Sequence, residues 1–141
     1  MAQLFSLGSS THYILNTNFS NNRQDHEHML AHGKTAAFYE RKSVIDRLDA
    51  GDEVFLYQSG VGIVAFGVAD GRLVVCDHDG DHDEEHHMLL REFKQVSPPL
   101  TAAQIKDVTG TNHRFTSALF SLGADGKKVS DFIYEHHLAG A

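Results

Sequence analysis

Between Val44 and Gly71 the chain reads VIDRLDAGDEVFLYQSGVGIVAFGVADG, and this stretch constrains the fold more than any other. Val44, Ile45 and Leu48 share one face at helical spacing, which predicts a helix over 41–49 closed by the turn Ala50-Gly51-Asp52. Val54-Phe55-Leu56-Tyr57 and Ile63-Val64-Ala65-Phe66-Gly67-Val68-Ala69 then read as two antiparallel strands. Strand side chains alternate, so Phe55 and Tyr57 belong on the face opposite Leu56. The connection Gln58-Ser59-Gly60-Val61-Gly62 is too small to fill a core, and its glycines permit a positive φ or a close approach to a ligand. An apolar hairpin with a polar connection predicts a small barrel carrying a pocket at its rim.

The flanking sequence supplies the remaining elements. His12 to Thr17 reads as a first strand, and NTNFSNNR over 16–23 as a loop of turn formers. A short helix is expected around Asp25 to Ala31, closed by Gly33, with Ala36-Ala37-Phe38-Tyr39 leading into the 41–49 helix. Arg72 to Cys76 reads as a third barrel strand, Asp77 to Asp83 as an acidic loop, and Glu84 to Val96 as a long strand stopped by Pro98-Pro99. Thr101 and Gln104 have the spacing of a capping box, which starts a helix with Ile105 and Val108 inward and Gly110 at its end. Arg114 to Leu122 is a further strand, and a last helix buries Val129, Phe132 and Ile133. Strands cluster without βαβ alternation, so a parallel sheet is not expected. The fold class is α+β: a small, mostly antiparallel, partly closed barrel flanked by short helices, one domain over residues 1–141.

At 141 residues the chain is long enough for a real core. Apolar runs are strand-length, Met1 to Ser6 lacks the layout of a secretory signal, and the single cysteine, Cys76, has no internal partner. These features point to a cytoplasmic protein without a membrane span. The net charge is −7. It concentrates in 70–92, where Asp70, Asp77, Asp79, Asp81, Asp83, Glu84, Glu85 and Glu92 face only Arg72 and Arg91. A protein gripping many phosphates carries a basic stripe, so any nucleic-acid contact here is short and centred on a pocket. The 11 histidines make association sensitive to pH near 6.

Several motifs have the residue types of a chemical site. The run from Asp77 to His87 has metal-ligand residue types but matches no zinc spacing, and its glycine and final acid are misplaced for an EF-hand. It reads as a solvated acidic loop over 77–83, metal-free and available to a protein partner through 77–85. Asp25-His26-Glu27-His28 reads likewise as an exposed polar face. Gln58-Ser59-Gly60 lacks the context of a nucleophile elbow, Gly60-Val61-Gly62 lies between strands rather than before a helix, and Cys76 in an apolar strand reads as an inert thiol. On spacing alone Tyr13, Phe38, Tyr39 and Tyr57 each read more simply as core than as ligand contacts.

Tyr13-Ile14-Leu15-Asn16, then Leu48 to Tyr57, Ser59, Gly62 to Gly67, and the prolines 98–99 before a capped helix form an ordered set that resembles the EVE domains of the PUA-like superfamily, relatives of YTH and ASCH domains. The specific part of the likeness spans about residues 40 to 70. The resemblance implies a reader of nucleic acid that holds a flipped, often modified base in an aromatic pocket beside the barrel. Family tryptophans are absent, and Tyr13, Phe38 and Tyr39 stand in for them. On this reading Tyr13, Phe38, Tyr39 and Tyr57 surround the base, while Asn16, Gln58 and Ser59 supply edge contacts; Asn18 offers another amide. Arg23, Lys34, Arg41 and Lys42 contact phosphates. No cofactor or metal is expected and no catalysis. Two rival readings use other residues: a metal-dependent nuclease or hydrolase built on the His/Asp clusters, and an acidic protein that imitates DNA.

Overall fold

A computed structural model describes residues 11–138 of the chain. The segment Met1 to Ser6 discussed above lies outside them. The elements run β1 (His12–Asn16), α1 (Arg23–His32), β2 (Lys34–Phe38), a 3-10 helix (Tyr39–Arg47), β3 (Glu53–Gln58), β4 (Gly62–Ala69), β5 (Val74–His78), β6 (Asp81–Leu100), α2 (Ala102–Thr109), β7 (Leu119–Ser121) and α3 (Asp125–His136). The strands form one curled sheet, a half-barrel in the order β2-β6-β4-β3-β1-β7, with β5 paired to β6. Only β1 and β3 run parallel; the other pairings are antiparallel. The α+β class and the mostly antiparallel sheet follow the sequence reading. No helix among the described residues is long and apolar enough to cross a membrane.

Alternation along β3 divides the core in two. Val54 and Leu56 join Leu15, Met29, Ile45 and Ala65 beneath α1, β2 and the 3-10 helix. Phe55 and Tyr57 point the other way and join Ile14, Phe66, Ile105, Val129 and Ile133 beneath α2 and α3. Phe55, Phe66, Leu15 and Leu56 are fully buried, and each such side chain contributes roughly 1.5–3 kcal/mol of burial. The Gly51-Asp52 step before β3 is fixed by the buried Asp52 carboxylate, which accepts from the backbone N–H of Thr11 at 2.9 Å and of Asp49 at 2.8 Å. Helix punctuation follows expectation where Gly33 closes α1 and the Thr101/Gln104 capping box opens α2; the cap of α1 is Asn22, inside the run read as a loop.

Five expectations need correction. Ala36-Ala37-Phe38 is not a helix approach but part of β2, drawn into the sheet by its register with Glu85 to Leu89 of β6. The 41–49 helix is a 3-10 helix over Tyr39–Arg47; Ile45 and Leu48 are buried and Val44 half-buried, the facing expected of them. The third strand begins at Val74 rather than Arg72 and ends in a tight hairpin with β6, so the acidic run is hairpin rather than loop and its His78 is buried. β6 continues through Pro98-Pro99 to Leu100, because the chain beyond α3 holds it there. Ser97 N–H donates to the His137 carbonyl at 2.8 Å, the His137 ring donates to the Pro98 carbonyl, and Val96 bridges Leu138. The strand read over 114–122 is reduced to the three residues of β7, the part that reaches β1.

The hairpin glycines have different tasks. Gly60 has φ +78° with open space where a Cβ would sit. Gly62 has φ +134°, and an added Cβ would run into the Leu100 carbonyl of β6, so the close approach is to the neighbouring strand. In urea melts, Gly60→Ala is expected to lose about 1 kcal/mol, the cost of a left-handed alanine. Gly62→Ala combines backbone strain with a backbone clash and is expected to lose about 3 kcal/mol. Equal losses would show that contact with β6 does not govern this turn.

Candidate nucleic-acid interface

A cavity of about 350 Å³ opens where the end of β1, the 17–22 loop, the start of α1 and the β2/3-10 junction converge. Its wall grows from the run of turn formers. Asn16, the last residue of β1, donates through Nδ2 to the Phe115 carbonyl and accepts from the Asn18 N–H, both at 2.8 Å. Asn18 sits at φ 62°, a left-handed position that asparagine tolerates, and its Oδ1 accepts from Asn21 Nδ2 at 2.8 Å. Asn22 caps α1 by accepting from the Asp25 N–H at 3.1 Å. Leu15, Met29, Ala36 and Ala37 form an apolar floor, and Phe38, Tyr39 and Arg41 close the opposite side.

The two aromatics come from one step in the chain. Phe38 ends β2, and Tyr39 at φ 54° opens the 3-10 helix. Tyr39 is 40% exposed, and its hydroxyl donates to Asp81 Oδ2 at 2.9 Å across the β5–β6 hairpin. That hydrogen bond, with a smaller contribution from desolvation, pushes the phenol up to about 12, so it stays neutral. Behind the pair lies the His78 ring, 4.3 Å from the Phe38 ring and 5.5 Å from that of Tyr39.

His78 belongs to a buried polar network between α1, β2 and the hairpin. Its Nε2 lies 3.3 Å from Asp25 Oδ1 and 3.4 Å from Asp79 Oδ2, yet it makes no hydrogen bond, because neither oxygen lies along the ring N–H direction. Its Nδ1 is 3.8 Å from Glu85 Oε1. Glu85 Oε2 accepts from the buried Lys34 Nζ at 2.7 Å and from the half-buried His87 Nδ1 at 2.6 Å. Burial opposes the Glu85 charge, but these two hydrogen bonds together with the charges of Lys34 and His87 outweigh it and hold the carboxyl at about 2. Asp25 shifts the other way: burial raises it, against the attraction of His78.

The site residues read from the sequence therefore divide. Asn16, Phe38, Tyr39 and Arg41 line this one cavity, with Asn18 beside them. Tyr57 lies on the opposite face of the sheet, stacked on Phe115 with ring centroids 4.3 Å apart. Gln58 and Ser59 sit at the β3–β4 turn, whose Gly62 packs on β6, and neither lines the cavity. Tyr13 packs half-buried against the core at the start of β1. Lys34 is not a phosphate contact, because Glu85 takes its ammonium inside the fold. Arg23 is exposed and paired with Glu27 at 3.0 Å; Lys42 is paired with Glu84 at 2.9 Å.

The Asp25-His26-Glu27-His28 face is only half exposed. Glu27 and His28 face solvent, but Asp25 and His26 are buried, with His26 Nδ1 2.6 Å from Thr17 Oγ1. Asp25, Asn21 and Asn22 are cavity residues absent from the sequence-based set. The signal for Asp25 is its i,i+4 spacing to the buried Met29 behind an Asn22 cap. Two groups bring metal-ligand atoms within 4.8 Å of one another: Cys76, Glu85 and His87, and Asp77, His82 and Asp83. In the first, the Lys34 ammonium already neutralises Glu85. In the second, Asp77 Oδ1 accepts from the Asp83 N–H at 3.0 Å and lies 3.2 Å from His82 Nδ1, contacts that tie the hairpin together.

The Lys34–Glu85 pair yields a stability prediction. Glu85 moves from an ordinary 4.5 down to about 2 on folding, so its stabilisation is complete above pH 4.5 and is lost as pH falls through about 2. Glu85→Gln leaves Lys34 buried and unpaired and is expected to cost about 3–5 kcal/mol at neutral pH. The difference between wild type and variant should shrink steadily in denaturant melts below pH 4.5. A difference that does not depend on pH would mean that the pair is held by packing alone.

No protein-family model and no curated protein matches the chain. Solved structures do. An ASCH protein from Zymomonas mobilis superposes with a TM-score of 0.59 at 14% identity, covering 86% of this chain and 94% of that one. A Rhodopseudomonas palustris protein solved by NMR gives 0.57 at 17% identity, covering 87% and 92%. A hypothetical protein from Leishmania major gives 0.55 at 14%, covering 90% and 96%. None of the three carries the EVE name, and at these identities the likeness is one of architecture. The chain shares the fold of these structures, the ASCH protein among them, along nearly their whole length.

Proposed function

We propose that the protein is a non-catalytic binding module for nucleic acid or a nucleotide, holding one base in the cavity between Asn16, Phe38, Tyr39 and Arg41. The observation that carries this reading is the pairing of a half-exposed aromatic step with an asparagine wall across one cavity. A splayed-out base needs a stacking surface for affinity and amide groups for its edge. The volume, about 350 Å³, is in the range of small-molecule sites of roughly 300–1,000 Å³. Arg41 is exposed at the same rim with no ion-pair partner among the described residues and is placed for one phosphate. The ASCH-type fold supports the reading, since the PUA-like superfamily includes nucleic-acid readers. The cytoplasmic location expected from Cys76 fits a partner of this kind.

Binding to a panel of modified and unmodified oligonucleotides, followed by fluorescence anisotropy with melting curves on the same samples, tests the reading. Tyr39→Ala should weaken binding by roughly 1–3 kcal/mol, the worth of one stacked base, with a smaller effect on melting temperature because the ring is 40% exposed and its bond to Asp81 lies at the surface. Arg41→Ala should reduce the slope of log K against log salt by about 1. Ser59→Ala, outside the cavity, should change neither affinity nor selectivity. A wild-type protein that binds nothing in the panel would defeat the proposal.

A further inference from the structure

The cavity contains a carboxylate for which the fold supplies no hydrogen-bond donor. Asp25 lies in the first turn of α1, its side chain only 8% exposed, and it lines the cavity wall. Asn22 takes its backbone N–H, but no donor among the described residues is hydrogen-bonded to either carboxylate oxygen. His78 Nε2 approaches Oδ1 to 3.3 Å without forming a hydrogen bond. Neither Asp25 oxygen is among the enclosed atoms that lack a partner, so the carboxylate opens to the cavity and can accept from a donor that a ligand brings.

The identity of that donor follows from the shape of the group. A carboxylate presents two acceptor oxygens side by side and is best met by two parallel N–H groups. Among the common bases, guanine alone offers this on one edge, through N1–H and the N2 amino group. Adenine and cytosine set one amino group beside a ring acceptor, which would face the second oxygen lone pair to lone pair. Uracil has a single N–H between two carbonyls. The next atom on the guanine edge is the acceptor O6, and the cavity wall has donors for it. Asn18 Oδ1 and Asn22 Oδ1 are occupied by Asn21 and by the Asp25 N–H, while their Nδ2 groups carry no bond among the described residues.

Resting on the binding function proposed above, we infer that the base this cavity selects is guanine, with N1–H and N2–H donated to the Asp25 carboxylate and O6 accepting from the Asn18 or Asn22 amide. The test uses a short oligouridylate carrying one central guanine, adenine, cytosine or hypoxanthine residue, titrated against the whole chain. The guanine strand should bind at least about tenfold tighter than the adenine and cytosine strands. Hypoxanthine keeps N1–H and O6 but lacks the amino group, so it should lose about tenfold on the wild-type protein, with no mutation involved. Asp25→Asn should abolish the guanine preference, leaving the guanine strand no tighter than the adenine and cytosine strands. If strands bind with equal affinity, or if hypoxanthine equals guanine, the inference is overturned and the binding function stands. If no strand binds, both fall. Should Asp25→Asn fail to fold, the hypoxanthine comparison decides alone.

Discussion

The structure depends on β3 being buried on both faces. A strand in the middle of a sheet covered on one side only would alternate apolar and polar residues; this one reads Val54-Phe55-Leu56-Tyr57 and buries all four. That choice obliges the rest of the chain to supply two covers. The first comes from α1 and the 3-10 helix through Met29 and Ile45, the second from α2 and α3 through Ile105, Val129 and Ile133. The parallel register of β1 on β3 and the antiparallel register of β4 then follow from matching both faces at once, because a one-residue slip would exchange the two cores.

The cavity lies over the first of these cores, where packing against polar groups takes over from packing against apolar ones. Leu15, Met29, Ala36 and Ala37 end the apolar layer, and the Asn16–Asn22 wall and Asp25 begin above it. Directly behind, Lys34, Glu85, His87 and His78 are buried together. Such an ionic group adds little net stability over a well-packed apolar one, but each member strongly penalises a displaced partner. Phe38 and Glu85 face each other in the β2–β6 register, so the network fixes the register that sets the Phe38-Tyr39 step at the cavity.

The parts of this arrangement that were legible in the sequence are the local ones. The β3–β4 hairpin, the Gly33 stop, the Thr101 cap and the inward faces of the last two helices all announce themselves within a few residues. The parts that were not legible are decided at long range. Lys34 to Phe38 has the composition of a helix lead-in and becomes β2 only because β6, some fifty residues later, offers it an edge. Pro98 and Pro99 read as a stop, and the contact that overrides them comes from His137. The residues read for the site are separated in the same way. Tyr39 and Asn16 were recognisable by type, while Tyr57 and Ser59, close to them in the pattern, are separated from the cavity by the thickness of the sheet and by the length of β3. Asp25 stood in a charged run that resembled a solvated face; its spacing to Met29 puts it on the inward side of the helix, but nothing local tells that this side opens on a cavity.

The charge distribution finally restricts how such a site can bind. Glu40 lines the cavity beside Arg41, and Tyr39 holds Asp81 at its edge, so a long polyanion lying across this face would meet as many carboxylates as cations. Counterion release, the usual source of affinity for nucleic acid, is therefore small here. What remains is stacking on Phe38 and Tyr39 and hydrogen bonding within the cavity, both short-range and weakly screened. A site of that kind discriminates by the base it encloses and is nearly indifferent to the strand outside it. The acidity that would spoil a general nucleic-acid binder is compatible with a reader of one nucleotide, because the carboxylates repel a backbone laid along the surface but leave an inserted base unaffected.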